Sequence, residues 1–433
     1  MGAASRPIPA ALPASAAVPF LERFSSVFGR AQGLVLRMSG LSGGESSAFG
    51  AWVTDTDGRR WLDFGSFGLH LLGHRHPAIL RAALEQLGQM GLSTKILGGQ
   101  AATGCAETLR SVLPPHLGGV VFANCGAEAT EIALKMAVVG TGRGELITFT
   151  NSYHGKTAGA ASVSDSVKLP RACRIRATVH VVRPGDVARL TRLLATGRIA
   201  AVMIEPIQGE GGIVPVAPDF LAEVGRQCRR HAAVFILDEI QTGLGRCGRL
   251  WCGVAEAGPD VLLVGKTLGG GLVPLAAVAY DRHRIPTAAS DPVLHASSFA
   301  GGALACRIGT EVVQTVRSEV FLARVRQLGA RAGRRLRDAL RGHPHVRDVR
   351  GRGLMLGIEF DSPATTGEVL IEAMKRGVLV TFCLNRPTVM RIYPPAVISE
   401  EDLDWGIDQV FRAIGCASDR LSEHPAAAPS QGR

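Results

Sequence analysis

Short apolar runs alternate along the chain with stretches whose apolar residues recur at helical spacing. The clearest runs, 119–122, 146–149, 200–204, 234–237 and 261–264, are aliphatic or β-branched on both faces. That is the pattern of strands buried in a sheet covered on both sides. Helical periodicity follows over 127–139, 218–231 and 302–316. Strands that alternate with helices predict an α/β protein with a mainly parallel sheet. A hairpin is expected over 51–63, turning at Asp57-Gly58. After about residue 310 the texture changes to a long arginine-rich helix, a strand-like run over 354–360 and a final helix over 400–413. The expected organisation is a disordered tail over 1–20 and an N-terminal segment over 21–60 that packs on the smaller domain. A large domain over 61–310, a small C-terminal α/β domain over 311–420 and a second disordered tail over 421–433 complete it.

Of the 433 residues 46% are apolar, enough for a large core and too many for a mostly disordered chain. No apolar run approaches the ~18 residues of a membrane helix, so no membrane partner is expected. Pro7, Pro9 and Pro13 interrupt the Ala-rich start where a signal peptide needs a continuous apolar core. Nine cysteines without a CxxC pair form neither a disulfide nor a zinc framework. Reduced thiols then imply a cytoplasmic location. The net charge is +11, but the basic residues are scattered. Their densest stretch, Arg317 to Arg352, lacks interleaved aromatics and reads as a solvated helix face, with no nucleic-acid partner expected.

Lysine is scarce: only Lys95, Lys135, Lys156, Lys168, Lys266 and Lys375 occur. Lys266 alone closes an apolar run, with Gly265 before it and Gly269-Gly270-Gly271 just after. A lysine in a confined apolar site loses proton affinity and becomes a usable amine nucleophile. Lys135 follows Glu131 at i+4 and is expected to form a surface pair with it.

Four other segments carry candidate chemistry. Asn124-Cys125-Gly126-Ala127-Glu128 joins a strand to a helix, where free backbone N–H groups suit a phosphate. Tyr153, in Phe149–Thr157, follows a strand, and an aromatic there could stack on a flat ring. Glu205-Pro206-Ile207-Gln208-Gly209-Glu210 places two carboxylates in a glycine-rich loop. Asp238 ends the buried run 234–237, where a charge needs a compensating partner such as a cationic ring nitrogen. Gly243-Leu244-Gly245-Arg246-Cys247-Gly248 matches GxGxxG with Asp260 downstream, but no helix starts there, so dinucleotide binding is not expected. His70, His74 and His76 read as structural rather than as metal ligands, and no metal is expected. No GxSxG motif supports hydrolase chemistry.

A phosphate turn, a stacking aromatic, a carboxylate for a ring nitrogen and a Schiff-base lysine describe a pyridoxal 5'-phosphate site. In order and spacing these motifs resemble the class III (ω-) aminotransferases of fold type I, over nearly the whole chain from about Gly50 to about Ala413. The resemblance implies that fold, with a large cofactor-binding domain and a smaller C-terminal one. It also implies that Lys266 forms the Schiff base and shuttles a proton, and that Asp238 pairs with the pyridinium nitrogen. Gln241 would bond the ring hydroxyl, and Tyr153 would stack on the ring. Gly126 and Ala127 would hold the phosphate, with His154 and Glu205 among the cofactor's surroundings. Ser298 would reach the phosphate of a neighbouring subunit, which implies a homodimer with sites at the interface. Arg391 would receive the carboxylate of a 2-oxo acid, and Glu210 would cover it when the bound end is uncharged or cationic. The chain departs from the family pattern at Cys125 (usually Ser), at Ser298 (usually Thr) and at Gly302-Ala303 (usually Asn-Pro).

Phe67 is expected at the site mouth, where ornithine aminotransferases carry a Tyr whose hydroxyl helps hold the amino-acid end. Together with Phe67-Gly68, the stretches 377–385 and 391–395 resemble putrescine aminotransferases more. The expected donor is therefore a diamine or ω-amino compound, with 2-oxoglutarate or pyruvate as acceptor. Ornithine or acetylornithine transamination is the alternative, and a decarboxylase or aminomutase on the same fold is a further one.

Overall fold

A computed structural model describes residues 19–38, 40–165, 170–286, 291 and 293–423. Most of both expected tails, and Lys168, lie outside these residues. A seven-stranded sheet forms the centre, in the order Gly119–Ala123, Ala276–Tyr280, Val261–Val264, Val234–Asp238, Ile199–Ile204, Glu145–Phe149, Val179–Val182. Only Ala276–Tyr280 runs antiparallel to its neighbours. The sheet is buried on both sides because each strand divides its apolar residues between two clusters. Phe235 and Leu237 join one face, Val234 and Ile236 the other. Gly126–Thr141 covers the second face with Ala129, Ile132, Ala133 and Met136. Pro218–Arg230 and Ala303–Val316 cover the first.

The five parallel strands that precede the candidate motifs all end at one edge of this sheet. In a parallel sheet the loops beyond the carboxyl ends converge, which makes that edge the ligand side. Asp238 lies opposite Leu263 in adjacent parallel strands, three residues before Lys266. Register alone therefore brings the two chemical motifs together.

The C-terminal part builds its own antiparallel sheet, in the order Val346–Arg352, Met355–Phe360, Arg386–Ile392, Thr381–Cys383. Glu319–Ala339, Pro363–Lys375 and Glu400–Glu423 pack on it through one apolar cluster that also takes in Ala51, Leu62 and Phe64. The hairpin strand Arg60–Asp63 pairs in parallel with Val378–Leu379.

Three expectations need correction. The last helix runs on to Glu423, ten residues past the expected end, because Val410, Ala413, Ile414 and Ala417 continue its buried stripe. The arginine-rich helix is not merely solvated. It opposes Glu400–Glu423, and Arg324 and Arg331 pair with Glu400 while Arg335 pairs with both Asp404 and Asp408. Lys135 does not pair with Glu131. Its ammonium donates to the Leu294 carbonyl, and Glu131 instead accepts from Thr157 Oγ1, Gly159 N and Ala160 N. Free N–H groups at a helix start offer a carboxylate several well-aligned donors, a better partner than an exposed ammonium.

The GxGxxG loop also has a structural account. A Cβ on Gly245 would lie 3.1 Å from the Phe321 ring, and one on Gly248 would lie 2.6 Å from Arg326 Cγ. These glycines let the loop lie against helix Glu319–Ala339. Asp260 accepts from Phe235 N and pairs with Arg284.

Candidate active site

Beyond the carboxyl ends of the strands lies a cavity of about 590 Å³. Its wall includes Gly126, Ala127, Tyr153, His154, Glu205, Glu210, Asp238, Gln241 and Lys266. Nine of the residues singled out from sequence thus meet in one space. Three do not line it. Arg391 stands behind Glu210, Phe67 is half exposed with its ring 5.3 Å from the Arg391 guanidinium, and Ser298 is exposed beside Ser297, which accepts from Asn124 Nδ2.

Lys266 follows the buried strand Val261–Val264 through an extended Gly265 and adopts a left-handed backbone with φ of 45°. A lysine gains nothing locally from that conformation, and such strain concentrates at functional sites. Burial pushes its amine below the ordinary lysine range, and the nearby Arg391 adds to this against the pull of Glu210, Asp238 and Glu205. That direction favours the neutral amine, the nucleophilic form.

Asp238 is held from two directions. Its Oδ1 accepts from Ile240 N at 3.0 Å, and Oδ2 sits 2.7 Å from His154 Nδ1. Burial alone would discharge His154, but the Asp238 bond and the charges of Asp238 and Glu205 outweigh it and raise the imidazole above its usual range. The bond to His154 orients the Asp238 carboxylate. Burial pushes Glu205 up to about 7, and its two oxygens accept from Tyr153 N and Gly209 N. It ties the Tyr153 turn to the Glu210 loop. Glu239, also pushed up to about 7 by burial, accepts from Cys252 N, Gly253 N and Thr242 Oγ1. It anchors a loop and does not line the cavity.

The turn 124–127 opens the sixteen-residue helix Gly126–Thr141. Glu128 folds back onto Asn124 N and Nδ2, and Gly126 and Ala127 at the helix start line the cavity. Gly155, at φ of 134°, crosses this turn so closely that a Cβ would lie 2.7 Å from Ala127 Cβ. Glycine is required there by both the conformation and the space.

Arg391 and Glu210 form an ion pair in which both side chains are almost wholly buried, at 1% and 5% exposure. The other Glu210 oxygen accepts from Leu384 N at 2.9 Å. Arg391 Nε and Nη2 are buried without partners among the described residues. A guanidinium with spare donors beside a cavity suits a bidentate carboxylate.

Sequence reasoning missed several members of this site. Tyr393 is buried and donates its hydroxyl to Gln241 Oε1 at 3.0 Å. Ile240 and the segment Leu272–Leu275 also line the cavity, as does His70, which closes the segment 65–70 expected at the site mouth. Ile240 lay inside a recognised motif, but its apolar side chain carried no chemical signal. His70 stacks on His74, which bonds Asp63, so the two histidines share one structural column while His70 alone faces the cavity.

These residues fit pyridoxal phosphate. The donors of the helix start match a phosphate, Asp238 at the cavity wall matches a protonated ring nitrogen, and Lys266 is the only lysine among the described residues that follows a buried strand end. The Gln241 amide has its oxygen occupied by Tyr393, and its NH2, with no hydrogen bond to the described residues, suits a ring oxygen. No helix among the described residues is long and apolar enough to cross a membrane.

The class III aminotransferase family model matches residues 45–414. The ornithine aminotransferase of Bacillus cereus (strain Q1) is 34% identical over 380 residues, spanning 84% of this chain and 92% of that one. A solved ornithine aminotransferase of Toxoplasma gondii, with pyridoxal phosphate at partial occupancy in its active site, superposes with a TM-score of 0.79 at 30% identity. It covers 88% of this chain and 92% of its own. The acetylornithine aminotransferase of Elizabethkingia anophelis gives a TM-score of 0.75 at 28% identity, over 86% of this chain and 94% of its own.

Proposed function

The chain belongs to the class III aminotransferases, pyridoxal-phosphate enzymes that pass an amino group from an amine donor to a 2-oxo acid, and on that premise we propose that its donor is a small ω-amino compound reacting at a terminal primary amine. The observation that carries this reading is the buried Arg391–Glu210 pair beside Lys266. One site must accept two substrates in turn. A donor without a carboxylate leaves the pair closed, whereas a 2-oxo acid displaces Glu210 and takes the guanidinium. The bond from Leu384 N holds one Glu210 oxygen and leaves the other to serve the pair.

When bound, pyridoxal phosphate supplies the carbonyl that takes up the amine and the ring that accepts an electron pair. The protein does the rest. Lys266 Nζ, its proton affinity lowered by burial, takes and returns a proton at the substrate carbon. The Asp238 carboxylate, backed by His154, keeps the ring nitrogen protonated, each added pKa unit corresponding to about 1.4 kcal/mol. The helix start at Gly126 and Ala127 binds the phosphate, and Tyr153 covers the ring. Phe67 cannot donate a hydrogen bond, which favours a donor without a polar group at that point.

A second reading, ornithine or acetylornithine as donor, is favoured by the relatives' names. A panel of diamines, ω-amino acids and ornithine derivatives against 2-oxoglutarate and pyruvate separates the two. Turnover of ornithine well above every other amine would reject the diamine choice.

Homodimerisation belongs to the same proposal. Ser298 is exposed, and Ile96, Leu97, Val293 and Phe299 present large apolar side chains to solvent. A second copy covering them would bring Ser298 towards its phosphate site. The nine unpaired thiols support a reducing, cytoplasmic compartment.

A further inference from the structure

Arg246, in the loop that fails as a nucleotide-binding fingerprint, is as deeply buried as Arg391 at 1% exposure. Among the described residues it forms no ion pair. Its Nη1 donates to the carbonyls of Leu354 at 3.2 Å and Pro394 at 2.9 Å, and Nη2 to that of Gly68 at 3.4 Å. Nε is buried with no partner among the described residues. A buried charge without a counter-ion is costly, and a water molecule could satisfy these carbonyls without that cost.

What water could not supply is a flat, rigid body against an aromatic ring. The guanidinium lies 5.6 Å from the centre of the Tyr393 ring, and Tyr393 in turn donates to Gln241. On the other side Arg246 holds Gly68, where a Cβ would lie 3.4 Å from Tyr393 Cδ2 and 3.8 Å from Lys266 Cδ. Gly68 follows Phe67, whose ring lies by Arg391. One side chain thus joins the segment at 67–68, the strand start at 354 and the loop at 393–394. Burial lowers the guanidinium to about 10, so it stays charged at neutral pH.

We propose that Arg246 is a positioning residue: it fixes the Tyr393 ring, so that the Gln241 amide presents its NH2 to the cofactor's ring oxygen, and it pins Gly68, so that Phe67 stays over Arg391. The proposal rests on the aminotransferase reading of the cavity. Donation to the ring oxygen stabilises its anion, so a misplaced amide lets that oxygen compete more strongly for a proton.

Purified, cofactor-loaded wild type, R246K, R246M and Y393F are compared by titrating the visible absorbance of the lysine-linked cofactor against pH. R246M and Y393F should raise the midpoint by about half a unit, roughly a threefold change in proton affinity. R246K should fall between, because an ammonium can reach the carbonyls but not stack as a plane. In R246M the KM for the 2-oxo acid should rise about tenfold more than the KM for the amine, since Arg391 and Phe67 lose their support. A lower melting temperature in R246M with a wild-type titration and an unchanged KM ratio would mean a mere prop, and would overturn the proposal. If R246M does not fold, a wild-type titration in R246K overturns it instead. Wild-type protein that never develops the lysine-linked absorbance would sink the aminotransferase reading and the proposal with it.

Discussion

Replacing Glu210 by Gln removes one member of the buried ion pair while keeping its shape. The Gln carbonyl can still accept from Leu384 N, so the loop position should survive. What is lost is a charge-assisted bond between two groups almost fully removed from solvent. Such bonds are worth about 1.5–3 kcal/mol. A carboxylate acceptor no longer has to displace Glu210, so its affinity should rise by roughly 10- to 150-fold. A donor lacking a carboxylate meets the opposite situation. Arg391 then stands uncovered beside an ammonium substrate, and the amine half-reaction should slow by a comparable factor. Stability should fall too, because a buried charge left unpaired costs about 3–5 kcal/mol. Glutarate, which can occupy Arg391, should restore part of it by mass action. Single half-reactions followed by cofactor absorbance, with thermal melts with and without glutarate, measure all three effects. Equal slowing of both half-reactions, with no glutarate rescue, would show that Glu210 does not gate Arg391.

Lys266→Ala should bind cofactor without the lysine-linked absorbance and lose turnover; retained activity would reject the assignment. Asp238→Asn should keep the fold yet lower kcat by about a hundredfold or more, since each pKa unit lost at the ring nitrogen is about 1.4 kcal/mol; circular dichroism and steady-state kinetics check both halves. Glu372 is buried and, although burial opposes it, bonds from Lys375, Arg376 and Arg420 pull its carboxyl down to about 2. A depressed carboxyl contributes stability above its unfolded value of about 4.3, lost as pH falls towards 2. Glu372→Gln should therefore lower the melting temperature at pH 7 by an amount equivalent to about 2 kcal/mol, discounted for the half-exposed Lys375 and Arg420, and the difference should shrink below pH 4.

The central sheet was legible because its strands are apolar on both faces, a pattern that leaves few other readings. Strands 119–123, 145–149, 199–204, 234–238 and 261–264 each lie within a residue of their expected ends. Less legible were elements whose partners are distant in sequence. The arginines of helix Glu319–Ala339 read as solvated because their acidic partners lie more than seventy residues away. Glu131 is claimed by a helix start that its own periodicity does not reveal.

The site divides along the same line. Lys266, Asp238 and Glu205 stood out because each places a charge where a buried strand ends, and burial makes an unpaired polar group expensive. Glu210 stood out instead as a second carboxylate in a glycine-rich loop, and Gly126 as part of a small-residue turn that opens a helix. Tyr393 and Arg246 have equal claim by position, yet neither stood out. Tyr393 lies two residues beyond Arg391, and one aromatic at the end of an apolar strand is more often core. Arg246 sat inside a motif whose glycines pointed to the wrong ligand and was one arginine among many. Its significance lies in burial without a counter-ion, which only the folded chain exposes. The lysine count worked in the opposite direction. With six lysines in the chain, one at the end of an apolar run was conspicuous from residue order alone. Arginine carries most of the positive charge, so a functional arginine must be found by its surroundings, and Arg391 and Arg246 are the two among the described residues whose side chains are almost wholly buried.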